Sequence, residues 1–119
     1  MPGDVVVIVV EAAIRLNDPS RRASLVAESA PIQQSTRDDE PGCLVYCFAA
    51  DPVEEDLIQV YELWTDDDSL QQHFQHPNYH AMRELLNGAG LASAVSRKLR
   101  TDAESPVYAD GAPITGFPD

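Results

Sequence analysis

Four stretches of the chain are rich in apolar residues at strand-like spacing, and these stretches predict four strands. Residues Asp4–Ala13 are β-branched on both faces, which is typical of a strand covered on both sides at the centre of a sheet. Cys43–Ala50 and Leu57–Trp64 flank a short acidic connector that contains a proline, which predicts an antiparallel hairpin. Leu91–Thr101 alternates more loosely and predicts a last strand.

The first predicted helix follows the first strand. Asn17–Pro19 gives it an Asx cap followed by proline, which the first helical position tolerates. Pro31 falls inside the helical pattern and predicts a kink or a break into two short helices. The polar run from Ser35 to Glu40 then predicts the end of the segment. The apolar stripe of this helix consists of Ala23, Val26, Ala27 and Ala30.

A second helical region follows the third strand. Thr65 is the predicted N-cap, and Asp66–Asp68 fills the first turn, where carboxylates favour the helix dipole. His73 falls within the apolar arc of this helix. A further helical piece begins after Pro77 and ends at Gly88 and Gly90. The apolar positions of the two pieces are Leu70, Phe74 and Pro77, and then Tyr79, Met82 and Leu86.

The element order β, α, β, β, α, β predicts an α+β protein with the ferredoxin-like split motif, a four-stranded antiparallel sheet with helices on one face. Strands that are apolar on both faces then require cover for the second face, and a homodimer that packs sheet against sheet supplies it. Residues 1–102 are expected to form this domain. Residues 103–119, rich in proline and glycine, form a tail that is either disordered or an extended arm on a partner.

Charge and composition limit the partners and the cellular location that are expected. The 119 residues carry a formal net charge of −12, which disfavours nucleic acid and anionic membrane as partners. The apolar run near the N-terminus ends at Glu11, too early for a signal sequence or a membrane span, and a cytoplasmic location is expected.

The two cysteines do not predict a disulfide or a metal site. Cys43 and Cys47 lie four residues apart in one predicted strand, so their Cα atoms are roughly 13 Å apart. That distance is too long for a disulfide, and the spacing without a second pair is not a usual zinc motif. The acidic triplet Asp66–Asp68 is interpreted as helix capping, so no metal site is expected.

The sequence resembles the antibiotic biosynthesis monooxygenase family of small dimeric α/β-barrel proteins. The resemblance spans roughly residues 5–100 and rests on the order and spacing of PGCLVYCF, VYELW, the acidic helix start with LQQHF, and HPNY. It implies a pocket between sheet and helices in each subunit. A member of the oxygenase type binds a planar, electron-rich aromatic there, such as a quinol or an anthrone, and oxidises it with O₂ without flavin, haem or metal.

The resemblance also implies roles for individual residues. His73 is the candidate proton acceptor, because its reference pKa lies near neutrality. Glu62 shares a strand face with Trp64 and is expected to orient and polarise His73. Trp64 is expected to stack against the substrate or donate its indole N–H to it. The expected substrate-positioning residues are Tyr46, Tyr79 and Arg83.

Two other functions fit the same pattern. The haem-degrading branch of the family uses an asparagine on the first strand, a tryptophan on the helix and a downstream axial histidine. This chain has no asparagine on the first strand and has His73 at the helix position, so two of the three features are missing; His80 is the candidate for the axial ligand. A non-catalytic dimeric module that binds a hydrophobic small molecule would carry the same pocket without turnover. The first hypothesis remains a cofactor-independent monooxygenase.

Overall fold

The computed structural model describes residues 7–118. It contains a four-stranded antiparallel sheet with three α-helices, the ferredoxin-like arrangement expected from the element order. The strands are β1 (Ile8–Leu16), β2 (Cys43–Ala50), β3 (Leu57–Trp64) and β4 (Leu91–Arg100), in the sheet order β2-β3-β1-β4. The helices are α1 (Arg22–Asp39), α2 (Asp67–Gln75) and α3 (Pro77–Ala89), with a 3₁₀ turn at Pro19–Arg21 before α1.

The central position predicted for the first strand is confirmed, because β1 pairs with both β3 and β4. Its bounds differ from the prediction: the strand runs to Leu16, and Asp4–Val6 lies outside the described residues. The predicted hairpin is also confirmed, with β2 antiparallel to β3. Helix α1 covers the free edge of β2. Gln33 bonds both backbone groups of Phe48, at 3.0 and 3.1 Å, and Arg37 donates to the Tyr46 carbonyl at 2.8 Å.

The predictions for α1 need two corrections. The helix does not break at Pro31; it continues to Asp39 and so ends within the polar run, as predicted. Pro31 and Ala27, whose carbonyl loses its helical partner, are both exposed, so water can satisfy that carbonyl. Of the predicted apolar stripe, Val26 packs against the core, but Ala23, Ala27 and Ala30 are exposed. The buried positions of α1 are mostly polar and consist of Leu25, Ser29, Gln33 and Thr36.

The ends of α2 and α3 and the C-terminal tail also differ in detail from the predictions. The N-cap of α2 is Asp66 rather than Thr65, since its carboxylate accepts from the Ser69 N–H at 2.8 Å. Helix α3 continues through Gly88 and ends at Gly90. The tail includes a short hairpin, β5 (Tyr108–Ala109) with β6 (Ala112–Pro113), around a two-residue turn at positive φ. It is therefore neither structureless nor fully extended.

The core lies between the helices and the even-numbered positions of the sheet, including Ile8, Ile14, Tyr46, Val60 and Trp64. None of the helices in residues 7–118 covers the opposite face of the sheet. None of the described helices is long and apolar enough to span a membrane.

Candidate active site

A cavity of about 550 Å³ lies between the helix side of the sheet and helices α2 and α3. Apolar side chains form most of its wall, including Val10, Phe48 and Met82. The polar or ionisable side chains that reach it are Tyr46, Glu62, His73, Tyr79, Arg83, Asn87 and Ser96. Five of the six residues predicted for the site therefore line one cavity.

His73 is an ionisable group of this wall that is almost completely buried, with 2% of its surface exposed. Its burial on the apolar side of α2 confirms the position predicted from helical spacing. Nδ1 lies 2.7 Å from Glu40 Oε1. No hydrogen bond joins Nε2 to another of the described residues. Burial lowers the pKa of His73 below its ordinary value of 6.5, although the carboxylate of Glu40 acts in the opposite direction.

Glu40 is the partner that sequence reasoning missed. The sequence placed Glu40 only at the end of a polar run, and Glu62 was expected to orient His73. In the structure Glu40 caps the C-terminus of α1, is 7% exposed, and accepts from Asn78 Nδ2 through its other oxygen at 3.1 Å. His76 Nδ1 lies 3.7 Å from the same oxygen. Thus the carboxylate joins the end of α1 to α2 and to the first turn of α3.

The turn at Pro41–Gly42 explains why Glu40 reaches His73. Gly42 has φ +89°, and a Cβ there would collide with the side chains of Ser69 and Thr65. Its carbonyl accepts from the Thr65 N–H at 2.9 Å. Only glycine lets the end of α1 pack this closely on the start of α2. The sequence signal for this contact is the glycine directly after the proline.

Glu62 and Trp64 share the helix side of β3, as strand alternation predicted. The indole N–H of Trp64 donates to Glu62 Oε1 at 3.0 Å. Glu62 is buried, and this burial raises the pKa of its carboxyl from 4.5 to about 7. The hydrogen bond from Trp64 opposes the rise, and the charge of Glu40 adds to it. Glu62 therefore exchanges a proton near neutral pH on the wall of the cavity.

Trp64 occupies a different place from the one expected. It is 0% exposed, is absent from the cavity wall, and commits its N–H to Glu62. Its ring lies 4.6 Å from the His73 ring, centroid to centroid, at an angle of 36°. Trp64 therefore contacts Glu62 and His73 on the side away from the cavity. It would have to move to contact a bound molecule directly.

Aromatic rings surround His73 on its other sides. Tyr46 and Tyr79 present ring centroids 5.4 and 5.5 Å away in edge-on geometry. Burial and the nearby carboxylates Glu62 and Glu40 raise the pKa of Tyr46 far above its ordinary value of 10, so its hydroxyl stays protonated. A neutral phenol at this position can donate a hydrogen bond into the cavity.

Phe74 and Arg83 form part of the cavity wall at the protein surface. Phe74 is 44% exposed and packs on Tyr79 at 5.2 Å, although helical spacing had placed it on the buried side. Arg83 is exposed and makes no salt bridge with another of the described residues. Its guanidinium supplies positive charge at the opening of a cavity whose floor carries Glu62.

The described residues include no group of three or more His, Cys, Asp or Glu side chains placed to hold a metal ion. Cys43 and Cys47 are both free thiols in β2. The site is thus defined by a hydrogen-bonded imidazole, a carboxyl that titrates near pH 7, and an aromatic, mostly apolar cavity.

This combination of fold and cavity defines a class of small α+β proteins with an aromatic-lined pocket between sheet and helices. A model of the family described as antibiotic biosynthesis monooxygenase matches residues 7–85. The chain belongs to this family, as its sequence motifs indicated.

The similar proteins agree on the fold. A proposed antibiotic biosynthesis monooxygenase of Caulobacter crescentus superposes with a TM-score of 0.73 and 24% identity, over 87% of this chain and 95% of that one. A proposed member from Deinococcus radiodurans gives 0.70 and 15%, over 86% and 99%. A protein of unknown function from Bacteroides thetaiotaomicron, described as a possible oxidoreductase, gives 0.70 and 16%, over 82% and 99%.

An uncharacterized protein of Synechocystis is 32% identical over 77 residues. The match covers 65% of this chain and 51% of the relative, so the chain spans about half the length of that protein.

Proposed function

We propose that this protein is a cofactor-independent monooxygenase that oxidises a small phenolic aromatic, of the quinol or anthrone type, with O₂. The observation that carries the proposal is the buried His73 imidazole, bonded at Nδ1 to Glu40 and otherwise facing an aromatic-lined cavity of about 550 Å³. A neutral imidazole in a mostly apolar cavity is suited to remove a phenolic proton. Family membership and the neighbours proposed to be monooxygenases support the same reaction class.

In the proposed reaction, Nε2 of His73 accepts the proton of the substrate hydroxyl. The resulting anion is electron-rich and reduces O₂ without an external reductant. For a quinol, one oxygen atom enters the ring as a hydroxyl, the other leaves as water, and the product is a hydroxyquinone. The proton held by His73 returns to the departing oxygen, so the imidazole is regenerated.

Glu62 and Tyr46 have separate tasks in this scheme. Glu62, with its pKa of about 7, serves as a second proton acceptor or donor on the opposite part of the ring. The protonated hydroxyl of Tyr46 donates a hydrogen bond to the substrate anion. Trp64 is a positioning residue, because it holds Glu62 at 3.0 Å without reaching the cavity.

Tyr79 and Arg83 complete the site at its opening. Tyr79 packs edge-on to His73 and is half-buried, so it limits where a planar ring can enter. Arg83 offsets the local negative charge and favours oxygen-bearing rings in a protein whose net charge is −12.

The proposed assembly is a homodimer formed by the sheet face that carries no helix. This face holds a depression of about 510 Å³ lined by Ala13, Cys47 and Tyr61 among others. Tyr61 and Val95 are 45% and 69% exposed on it. Replacing Val95 by glutamate should convert a dimer into a monomer in analytical ultracentrifugation, and a wild-type protein that sediments as a monomer would contradict this assembly.

Oxygen consumption tests the proposed activity. Chelator-treated protein is given a panel of reduced quinols and anthrones, and uptake is compared with buffer and with the His73→Ala variant. Wild-type uptake should exceed the background, and His73→Ala should lower kcat by about 10²–10⁴-fold while binding is kept. His80→Ala is the matched control, since His80 is exposed on α3 and absent from the cavity wall.

Two results would contradict the proposal. Uptake at the background rate for every compound that binds would identify a ligand-binding protein instead of an oxygenase. Full activity of His73→Ala would remove the imidazole from the reaction.

A further inference from the structure

We propose that Glu40, held in place by Asn78, fixes the tautomer of His73 with the proton on Nδ1 and so keeps Nε2 free to accept a proton in the cavity. The effect of the tautomer on turnover rests on the proposed function. The assignment of the tautomer does not rest on it, because the tautomer is a property of the resting protein. Glu40 and Asn78 are positioning residues here, since neither lines the cavity.

The contact between Glu40 and His73 is short and buried. Oε1 and Nδ1 are 2.7 Å apart, and the side chains are 5% and 2% exposed. An ionised carboxylate only accepts hydrogen bonds, so Nδ1 must be the donor in this pair. The other ring nitrogen of a neutral imidazole is then a lone-pair acceptor.

Asn78 fixes the carboxylate from the other side. Its Nδ2 donates to Glu40 Oε2 at 3.1 Å. Asn78 is itself held in the first turn of α3, where its N–H donates to His76 Nδ1 at 3.0 Å. The nearby His76 does not compete for Glu40, because 3.7 Å is too long for a hydrogen bond.

Replacing Glu40 by glutamine distinguishes a role in setting the tautomer from a role that is only structural. A glutamine at position 40 would keep the size and both contacts of the side chain. Asn78 Nδ2 donates to this side chain in the wild type, and the orientation in which the glutamine oxygen faces Asn78 preserves that hydrogen bond. The glutamine NH₂ would then face Nδ1, which must become an acceptor, and the imidazole proton would move to Nε2.

The experiment is a two-dimensional ¹H–¹⁵N spectrum of the protein labelled with ¹⁵N-histidine, recorded above the pKa of His73. The chain has three histidines, and the His73→Ala variant identifies the signals of His73. The wild type should show the Nδ1–H tautomer, and Glu40→Gln should show the Nε2–H tautomer. In the double variant Glu40→Gln with Asn78→Ala, the amide is free to turn, and the Nδ1–H tautomer should return.

Glu28→Gln is the matched control, because Glu28 is exposed on the same helix. It should leave the His73 signals unchanged. An Nε2–H tautomer in the wild type would overturn the role of Glu40, and an unchanged tautomer in Glu40→Gln would overturn the role of Asn78 in selecting the orientation of the side chain. A double variant that keeps Nε2–H would overturn the role of Asn78.

Activity measurements then link the tautomer to turnover. With an active substrate, Glu40→Gln should lower kcat by about 100-fold or more with KM little changed, and the double variant should recover part of kcat. A flipped tautomer with wild-type kcat would refute His73 as the base while leaving the tautomer assignment intact. Absence of turnover in the wild type would likewise contradict only the proposed function.

Discussion

Replacing Glu62 by glutamine should make the protein more stable at alkaline pH and change its stability little at acidic pH. Burial raises the pKa of this carboxyl from 4.5 to about 7, so the folded protein binds the proton more tightly than the unfolded chain does. The stabilisation of the protonated form is complete below pH ~4.5 and is lost as the pH rises through about 7. The total loss is about 3 kcal/mol, at roughly 1.4 kcal/mol per pH unit. Glutamine avoids this loss and keeps an oxygen for the Trp64 N–H.

Urea unfolding at pH 5 and pH 8 measures this effect, and Trp64 is a suitable probe. It is the only tryptophan and is fully buried, so its fluorescence reports unfolding. Relative to wild type at equal protein concentration, Glu62→Gln should gain about 2.5 kcal/mol in unfolding free energy between the two pH values. Glu28→Gln, on the exposed side of α1, should gain nothing. If the difference in unfolding free energy between Glu62→Gln and wild type does not vary with pH, the assignment of Glu62 as a buried acid with a raised pKa is refuted.

Three further predictions concern the supports of the site. Gly42→Ala should destabilise the protein by about 2 kcal/mol or more in thermal unfolding, because a Cβ meets Ser69 and Thr65 at a positive φ. Gly88→Ala should instead stabilise the protein by about 1 kcal/mol, since Gly88 lies within α3 beside open space. If both substitutions changed stability equally, the close approach at Gly42 would not be what requires glycine there. Asp66→Ala should cost about 1 kcal/mol through loss of the α2 N-cap, and Asp66→Asn should restore most of it. An NMR titration should place the pKa of His73 below 6.5, and a value above it would mean that Glu40 outweighs burial.

The sheet and its faces were predictable because strand alternation is a geometric rule. The rule placed Glu62 and Trp64 on one face without any knowledge of their partners, and the structure joins them by a hydrogen bond. It gave no information on the partner of His73. Glu40 is 33 residues away in the chain, and periodicity within each element does not determine which elements meet.

The failure on α1 has a different physical cause. The helix turns a polar side toward the sheet because β2 is an edge strand with free backbone groups. Gln33 satisfies the N–H and carbonyl of Phe48 as a neighbouring strand would. A search for apolar spacing therefore selects the small alanines of the exposed side, although the buried polar residues carry the contact. Polar residues at helical spacing opposite an edge strand are the signal that could have identified this side.

The two buried carboxyls of the site perform different tasks because their surroundings differ. Glu40 accepts from His73 and Asn78, so both of its oxygens are occupied and it can act only by holding the imidazole. Glu62 accepts a single hydrogen bond, from Trp64, and faces a mostly apolar cavity. Its pKa of about 7 leaves it able to gain or lose a proton under ordinary conditions. In the proposed reaction, a substrate that contacts both residues would thus meet one acceptor with a fixed orientation, His73, and one group with a variable charge, Glu62.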